Sequence, residues 1–129
     1  MSTFDSTAFP IVVGLGALSA GEKVNIEMPF NFEVLAVSAP SASVAPVGAA
    51  ALIDVEIGGT SVFSTRLTFA DGATAPSGGV LDTTETITAG IASNPCQGDA
   101  GDNLTLDVDQ VGSGTAGTVA NATIWIKKR

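Results

Sequence analysis

The sequence predicts an all-β protein: a single-domain, jelly-roll-like β-sandwich of about eight antiparallel strands with an N-terminal arm. Composition is the first reason, because 15 of the 129 residues are glycine and few are the Glu, Lys, Arg and Leu typical of helices. The second is alternation of apolar and polar side chains over short segments. The third is the frequency of turn signals between those segments. We place the arm over residues 1–8 and the β-sandwich domain over residues 9–129.

The first half of the chain contains four predicted strands. Residues 9–18 form an apolar run in which Pro10 favours an edge strand, because proline cannot donate a hydrogen bond to the sheet. Residues 22–28 alternate cleanly and predict a half-buried strand. Residues 32–38 are apolar on both faces apart from one acid, which predicts a central strand. Residues 51–57 alternate again.

The second half has a weaker pattern. A Gly58-Gly59 turn leads into a short predicted strand at residues 60–64. Residues 65–84 lose periodicity and predict a long connection that makes surface contacts. Residues 85–92 predict one strand, and residues 93–102 predict a turn-rich loop.

The closing segment gives the clearest local pattern. Residues 104–111 and 118–127 are β-prone and flank the glycine-rich sequence GSGTAG, which predicts a β-hairpin. Alternation assigns the following residues to the core: Leu104, Leu106, Val108, Ala120, Ala122, Ile124 and Ile126. It assigns the other set of the last strand to the polar side: Val119, Asn121, Thr123 and Trp125. Whether Trp125 covers a neighbouring strand or a neighbouring subunit remains open at this point.

Charge and hydropathy exclude several partners. The net charge of −8 argues against nucleic acid, because binding to a phosphate backbone depends on Lys and Arg. Residues 34–53 are uncharged but contain Pro40 and Pro46, so we interpret them as strand, loop and strand and expect no membrane contact. The N-terminus has no basic run before an apolar stretch, which predicts synthesis in the cytoplasm without a signal peptide. The single Cys96 is interpreted as an ordinary loop thiol.

The sequence predicts neither catalysis nor a bound cofactor or metal. Histidine is missing, so a Ser–His or Cys–His nucleophile cannot form. Residues 112–117 match G-x-G-x-x-G, but a strand follows where a dinucleotide fold requires a helix. Four acids over residues 99–109 lack EF-hand spacing and favour a solvated acidic face over a calcium site. A carboxylate hydrolase built on Asp107 and Asp109 is the alternative from a different functional class.

Surface contacts are therefore the predicted functional feature. The loop at residues 39–48 carries no charge and indicates a surface that contacts a partner. The basic cluster at residues 127–129 is interpreted either as a solvated tail or as a clamp on an acidic neighbour. The candidate interface residues are Phe4, Phe9, Val44, Pro46, Val119, Trp125, Lys127, Lys128 and Arg129.

Several stretches of turn and strand occur in a characteristic order from residue 20 onward. They are Ala20-Gly21-Glu22, Met28-Pro29-Phe30, residues 32–38, residues 53–57 followed by Gly59-Thr60-Ser61, and residues 102–112. In these stretches the chain resembles small structural proteins of tailed bacteriophages, specifically head decoration (cement) proteins of the jelly-roll type. The resemblance covers most of the chain, rests on turn and strand patterns, and has no counterpart for residues 1–19.

The resemblance implies a viral structural protein that binds the outside of a phage capsid and stabilises the shell, as a homotrimer whose partner is the major capsid protein. Its implied location is the virion, at the capsid surface, after synthesis in the host cytoplasm. The arm and the loops at residues 39–48 and 65–84 are the expected contacts. The alternative is a receptor- or glycan-binding β-sandwich module of a phage tail or head fibre, because such modules share this architecture.

Overall fold

The computed structural model describes residues 8–129, and over this range the all-β prediction is confirmed. No helix in the described range is long and apolar enough to cross a membrane. Residues 8–129 contain twelve strands instead of about eight, because several are only two or three residues long. The strands are β1 (Phe9–Ala17), β2 (Gly21–Glu27), β3 (Phe32–Ser38), β4 (Ala51–Ile57), β5 (Thr60–Ser61), β6 (Phe63–Phe69), β7 (Pro76–Leu81), β8 (Thr86–Thr88), β9 (Ile91–Ser93), β10 (Gln97–Gly98), β11 (Asn103–Gln110) and β12 (Thr118–Lys128).

The strands form a sandwich with jelly-roll connectivity. One sheet has the order β1-β12-β3-β10, and the other has the order β2-β11-β4-β6-β7, with β5 paired to β4. All neighbours are antiparallel. The chain crosses between the two sheets from β1 to β4 and again from β10 to β12, which is the pattern of two interlocked Greek keys. Strands β8 and β9 form a separate two-stranded sheet.

The core lies between the two sheets and contains most of the side chains that alternation predicts. Leu104, Leu106 and Val108 reach it from β11, and Ile124 and Ile126 reach it from β12. All five are buried, so this part of the prediction is confirmed. The largest other fully buried side chains are Phe32, Val34, Ile53, Val55, Val62, Phe69 and Val119.

The predicted closing hairpin is wrong, because β11 and β12 lie in different sheets. Strand β11 pairs with β2 and β4, whereas β12 pairs with β1 and β3. Each strand already has a neighbour on both sides, and packed sheets stand about 10 Å apart. Residues 111–117 therefore connect the two layers of the sandwich instead of turning a ribbon back on itself.

The start of β12 departs from strict alternation. Val119 and Ala122 are both buried although they are three positions apart, and Ala120 between them is exposed. The inward and outward sets therefore change over at Ala120 and Asn121. The predictions for Val119 (outward) and Ala120 (inward) are both wrong, whereas the outward position of Trp125 is confirmed.

Two further segments differ from the predictions. Residues 65–84 are largely the paired strands β6 and β7, not a long connection. Ser64, Thr65 and Arg66 are exposed in succession, so alternation is lost in the first half of β6 and returns only at Leu67 and Phe69. Residues 85–92 do not form one strand, because Ala89 and Gly90 both adopt positive φ (53° and 78°) and turn the chain into the β8–β9 hairpin.

Candidate binding surfaces

Of the candidate interface residues, Val44 and Pro46 lie at one end of the sandwich and Phe9, Lys127, Lys128 and Arg129 at the other, whereas Trp125 lies on the outside of a sheet and Val119 is buried in the core. Val44 bridges to Thr118 at the start of β12, whereas Lys128 lies at the end of the same strand. Ten strand residues separate these positions by roughly 33 Å. We call the end that contains residues 39–50, 70–75 and 111–117 the loop end, and the end that contains Phe9 and Arg129 the terminal end.

The loop end is held in one conformation by backbone hydrogen bonds between separate loops. Val47 donates to the Thr115 carbonyl at 2.9 Å and accepts from the Gly114 amide at 2.8 Å. The Gly72 amide donates to the Pro46 carbonyl at 2.7 Å. Because these bonds join loops far apart in sequence, the end is organised before any partner arrives, which reduces the entropy cost of binding.

Pro46 packs in the interior of the loop end. Its side chain is buried, so its assignment as a contact residue is wrong. It packs against Gly117, whose φ of 103° suits glycine and at which an added Cβ would lie 3.2 Å from the Pro46 nitrogen. Residues 112–117 thus form a connecting loop that packs against the loop at residues 39–50.

Two valines, Val44 and Val47, are exposed at the loop end, and residues 39–50 and 111–117 contain no charged side chain. Residues 70–75 contribute one charged residue, Asp71, whose carboxylate accepts a hydrogen bond from the Gly48 amide at 2.9 Å. The loop end therefore offers two exposed valines on a rigid set of loops with few charges.

A second uncharged surface covers the outside of the β1-β12-β3 sheet. Cross-strand pairing places Trp125 between Pro10 and Ala36, and the next row joins Val12 to Thr123. Val12 is 62% exposed and Trp125 is 40% exposed. We call this surface the neutral face; its members are Pro10, Val12, Leu35, Ala36, Ser38, Thr123 and Trp125.

Sequence reasoning identified Trp125 on this face but missed Val12 and Leu35. Val12 lies in an uninterrupted apolar run, where no polar residue marks which side chains turn outward. Leu35 follows Glu33 by two positions, so alternation with that acid was the signal that it turns outward. The β3–β12 register then shifts next to Trp125, so that Ala36 is exposed as well, and no local signal in the sequence indicates that shift.

The outside of the other sheet is acidic. Asp107 pairs with Glu22 on one side and with Asp54 on the other, so three carboxylates form one cross-strand row. Glu56 and Asp109 lie beside this row, and together the five residues are called the acidic face. Asp54 is almost fully buried and accepts a hydrogen bond from the Ser61 hydroxyl. The described residues contain no group of three or more candidate ligands placed to hold a metal ion.

Crowding on the acidic face changes its titration. The pKa of Asp107 is raised by desolvation and then by the charges of Asp109, Glu22 and Asp54. The pKa of Glu56 is raised by desolvation and then by Asp54 and Asp107. Asp109 forms an ion pair with Arg66 at 2.8 Å on the open sheet surface, so the geometry offers no support for a hydrolase built on Asp107 and Asp109.

We expect Asp107→Asn to raise the free energy of unfolding at pH 7 by about 0.2–1 kcal/mol, because it removes like charges that face each other across strands. A carboxyl group with a raised pKa in the folded state destabilises the fold above that pKa and not below its unfolded value near 3.8. The gain should therefore disappear as the pH falls towards 4. Urea denaturation at several pH values measures this.

The control for that variant is Glu27→Gln, since Glu27 faces Asn103 instead of a carboxylate. It should change stability much less. Salt should also shrink the Asp107→Asn effect by screening. An equal gain from both variants, independent of pH, would contradict the explanation by cross-strand repulsion.

The terminal end uses its charges within the chain. Phe9 packs edge-on against Phe30 with ring centroids 6.1 Å apart, and the Lys128 amine lies 5.3 Å from the Phe30 centroid. The Arg129 guanidinium donates to the Gly98 carbonyl at 2.7 Å and to Asp99 at 3.4 Å. The Arg129 side chain therefore already binds within its own chain and is neither a solvated tail nor free to bind an acidic neighbour. Lys127 lies opposite Glu33 on β3. Phe4 and the rest of residues 1–7 lie outside the described residues.

The β8–β9 hairpin projects from the terminal end. Ile87 and Ile91 are 68% and 69% exposed, and their cross-strand partners Ala92 and Thr88 place them on opposite faces of the ribbon. A groove separates the hairpin from Arg129. A two-stranded ribbon alone is marginally stable in water, so this element is suited to packing against another surface.

Cys96 lies in the hydrophobic core. It is buried, and its thiol lies within hydrogen-bonding distance of the Val62 and Asp82 carbonyls. Burial, followed by the charges of Asp82 and Glu33, raises the pKa of the thiol to about 11. This fits the interpretation of Cys96 as an ordinary, unreactive thiol.

Comparison of the chain with protein-family models, with curated protein sequences and with solved structures gives no match.

Proposed function

We propose that this chain is a viral structural protein that binds the outside of a phage capsid and stabilises the shell as a homotrimer. The observation that carries the proposal is the loop end, a rigid tip with two exposed valines on a sandwich whose β2-β11-β4 sheet is acidic. Binding surfaces differ from ordinary protein surface in having few charges at their centre, and the two exposed valines of the tip, Val44 and Val47, meet that requirement.

In this proposal the loop end sits on the major capsid protein. Three loops contribute to it, and their mutual hydrogen bonds keep Val44 and Val47 in place without the partner. The acidic face lies on the side of the sandwich and stays in solvent, where its charge opposes non-specific association. The sequence resemblance supports the capsid as the partner, the virion surface as the location and the host cytoplasm as the site of synthesis.

The test measures binding to purified expanded heads of the phage whose genome encodes this chain. We expect the unaltered chain to saturate the heads and to raise their disruption temperature. The double variant Val44→Asp/Val47→Asp should lose most of the binding, because it places two carboxylates in the centre of the contact.

The matched control is Val80→Asp, an equally simple change at an exposed valine of β7 outside the loop end. It should bind heads like the unaltered chain. Equal binding by the double variant and the control would contradict the role of the loop end, and failure of the unaltered chain to bind heads would contradict the proposed function.

A second candidate function is a receptor- or glycan-binding module of a tail or head fibre. The projecting β8–β9 hairpin favours it, because Ile87 and Ile91 expose apolar side chains on both faces of an element that extends from the body. Binding of the purified chain to host cells, lost in Ile87→Asp/Ile91→Asp, together with failure to bind heads, would favour this function.

A further inference from the structure

We propose that a second copy of this chain packs on the neutral face, centred on Trp125. The inference goes beyond the proposed function, because two copies that meet face to face through the same surface form a two-fold pair and not a ring of three. It concerns the outside of the β1-β12-β3 sheet and is separate from the loop end, which is assigned to the capsid.

The charge distribution of the chain favours a second copy as the partner on the neutral face. Two copies that each carry a net charge of −8 repel unless their carboxylates stay apart. When two neutral faces meet, the two acidic faces are separated by three sheet-to-sheet spacings of about 10 Å each. That distance of roughly 30 Å is about three Debye lengths at 0.1 M salt, so the repulsion is screened.

Other orientations do not achieve this separation. The acidic face concentrates Glu22, Asp54, Glu56, Asp107 and Asp109 on the second sheet, with Arg66 paired to one of them. Packing that sheet against another copy would desolvate carboxylates of both chains. A strongly basic partner would instead be drawn to the acidic face, so the neutral face fits a second acidic chain best.

The centre of the neutral face has the composition of an interface core. Trp125 stands between the smaller Pro10 and Ala36 of the neighbouring strands, so its indole is the most prominent group of its row. Tryptophan is enriched among the residues that dominate binding energy. At the rim, Lys127 lies opposite Glu33 and adds no net charge. An apolar centre with a balanced polar rim is typical of protein–protein contacts.

The size of the face predicts how tight the contact is. Three strands of about seven residues cover roughly 23 Å by 14 Å, a flat area of about 300 Å². Stable complexes bury about 800 Å² on each partner. The neutral face alone should therefore give weak, concentration-dependent association. Binding to neighbouring sites on a shell would raise the local concentration of the copies and so strengthen the contact between them.

Sedimentation equilibrium of the full chain at pH 7, from about 10 µM to about 1 mM, tests the inference. We expect the average mass to rise from the monomer towards the dimer. Trp125→Asp and, independently, Val12→Asp should keep the chain monomeric over the whole range. Both side chains are exposed, so far-ultraviolet circular dichroism should remain unchanged.

Val80→Asp is again the control, because it adds the same charge at an exposed valine of the other sheet and should associate like the unaltered chain. Higher salt should strengthen the association, because the contact is apolar and the remaining repulsion is screened. A chain that stays monomeric throughout, or a Trp125→Asp variant that associates normally, would overturn the inference.

The two proposals fail separately. A monomeric chain that still binds heads through Val44 and Val47 would remove the neutral-face contact and leave capsid binding in place. A chain that associates through Trp125 but does not bind heads would remove the proposed function and leave the self-association in place.

Discussion

Phe32→Ala is expected to lower the free energy of unfolding by about 3–5 kcal/mol, the range for removing a large aromatic side chain from a packed core. Phe32 is fully buried at the start of β3, and its ring lies against Gly98 of β10. An added Cβ at Gly98 would overlap that ring, which shows how closely the two strands pack there. Chemical denaturation measures the loss.

Leu35→Ala is the matched control for this prediction. Leu35 lies in the same strand but is exposed, so its truncation should cost less than about 1 kcal/mol. Because both residues lie in β3, the difference between the two losses of stability gives the contribution of burial. Similar losses from both would mean that the packing between the sheets is not what stabilises β3.

Gly112→Ala should destabilise the loop end and with it the whole fold, by about 1–3 kcal/mol. An added Cβ at Gly112 would overlap the Thr115 carbonyl and lie 2.7 Å from the Val47 amide nitrogen. Both obstacles are backbone, so the loops must separate instead of rotating a side chain away. Chemical denaturation measures the loss of stability. Binding to heads shows whether displacement of the loops weakens the contact with the capsid.

Gly114→Ala provides the comparison within the same loop. Its added Cβ would approach the Val47 carbonyl only to 3.4 Å, an ordinary contact, and its φ is not in the positive range. We expect stability and head binding close to those of the unaltered chain. If Gly114→Ala were as damaging as Gly112→Ala, the loss would reflect alanine in this loop generally, not the bracing against Val47.

The candidate binding surfaces were only partly predictable from the sequence. Trp125 was identified because its strand neighbours are polar on the outward side, so alternation separated it from the core. Val12 lies in an all-apolar run and gave no such signal. Val44 was identified by the lack of charge in its loop, whereas the burial of Pro46 depends on Gly117, which is 71 residues away in the chain and comes close only in the folded protein.

Two features could be predicted from the sequence alone, namely the all-β class and the inward side chains of β11 and of most of β12. This is possible because alternation is a local property of an extended backbone. The pairing of the strands is visible only in the folded protein. Residues 104–126 read as one hairpin, yet their two strands belong to opposite sheets and each has partners from distant parts of the chain. Pairing depends on long-range packing between the layers, and this is also what separates the loop end, the neutral face and the acidic face.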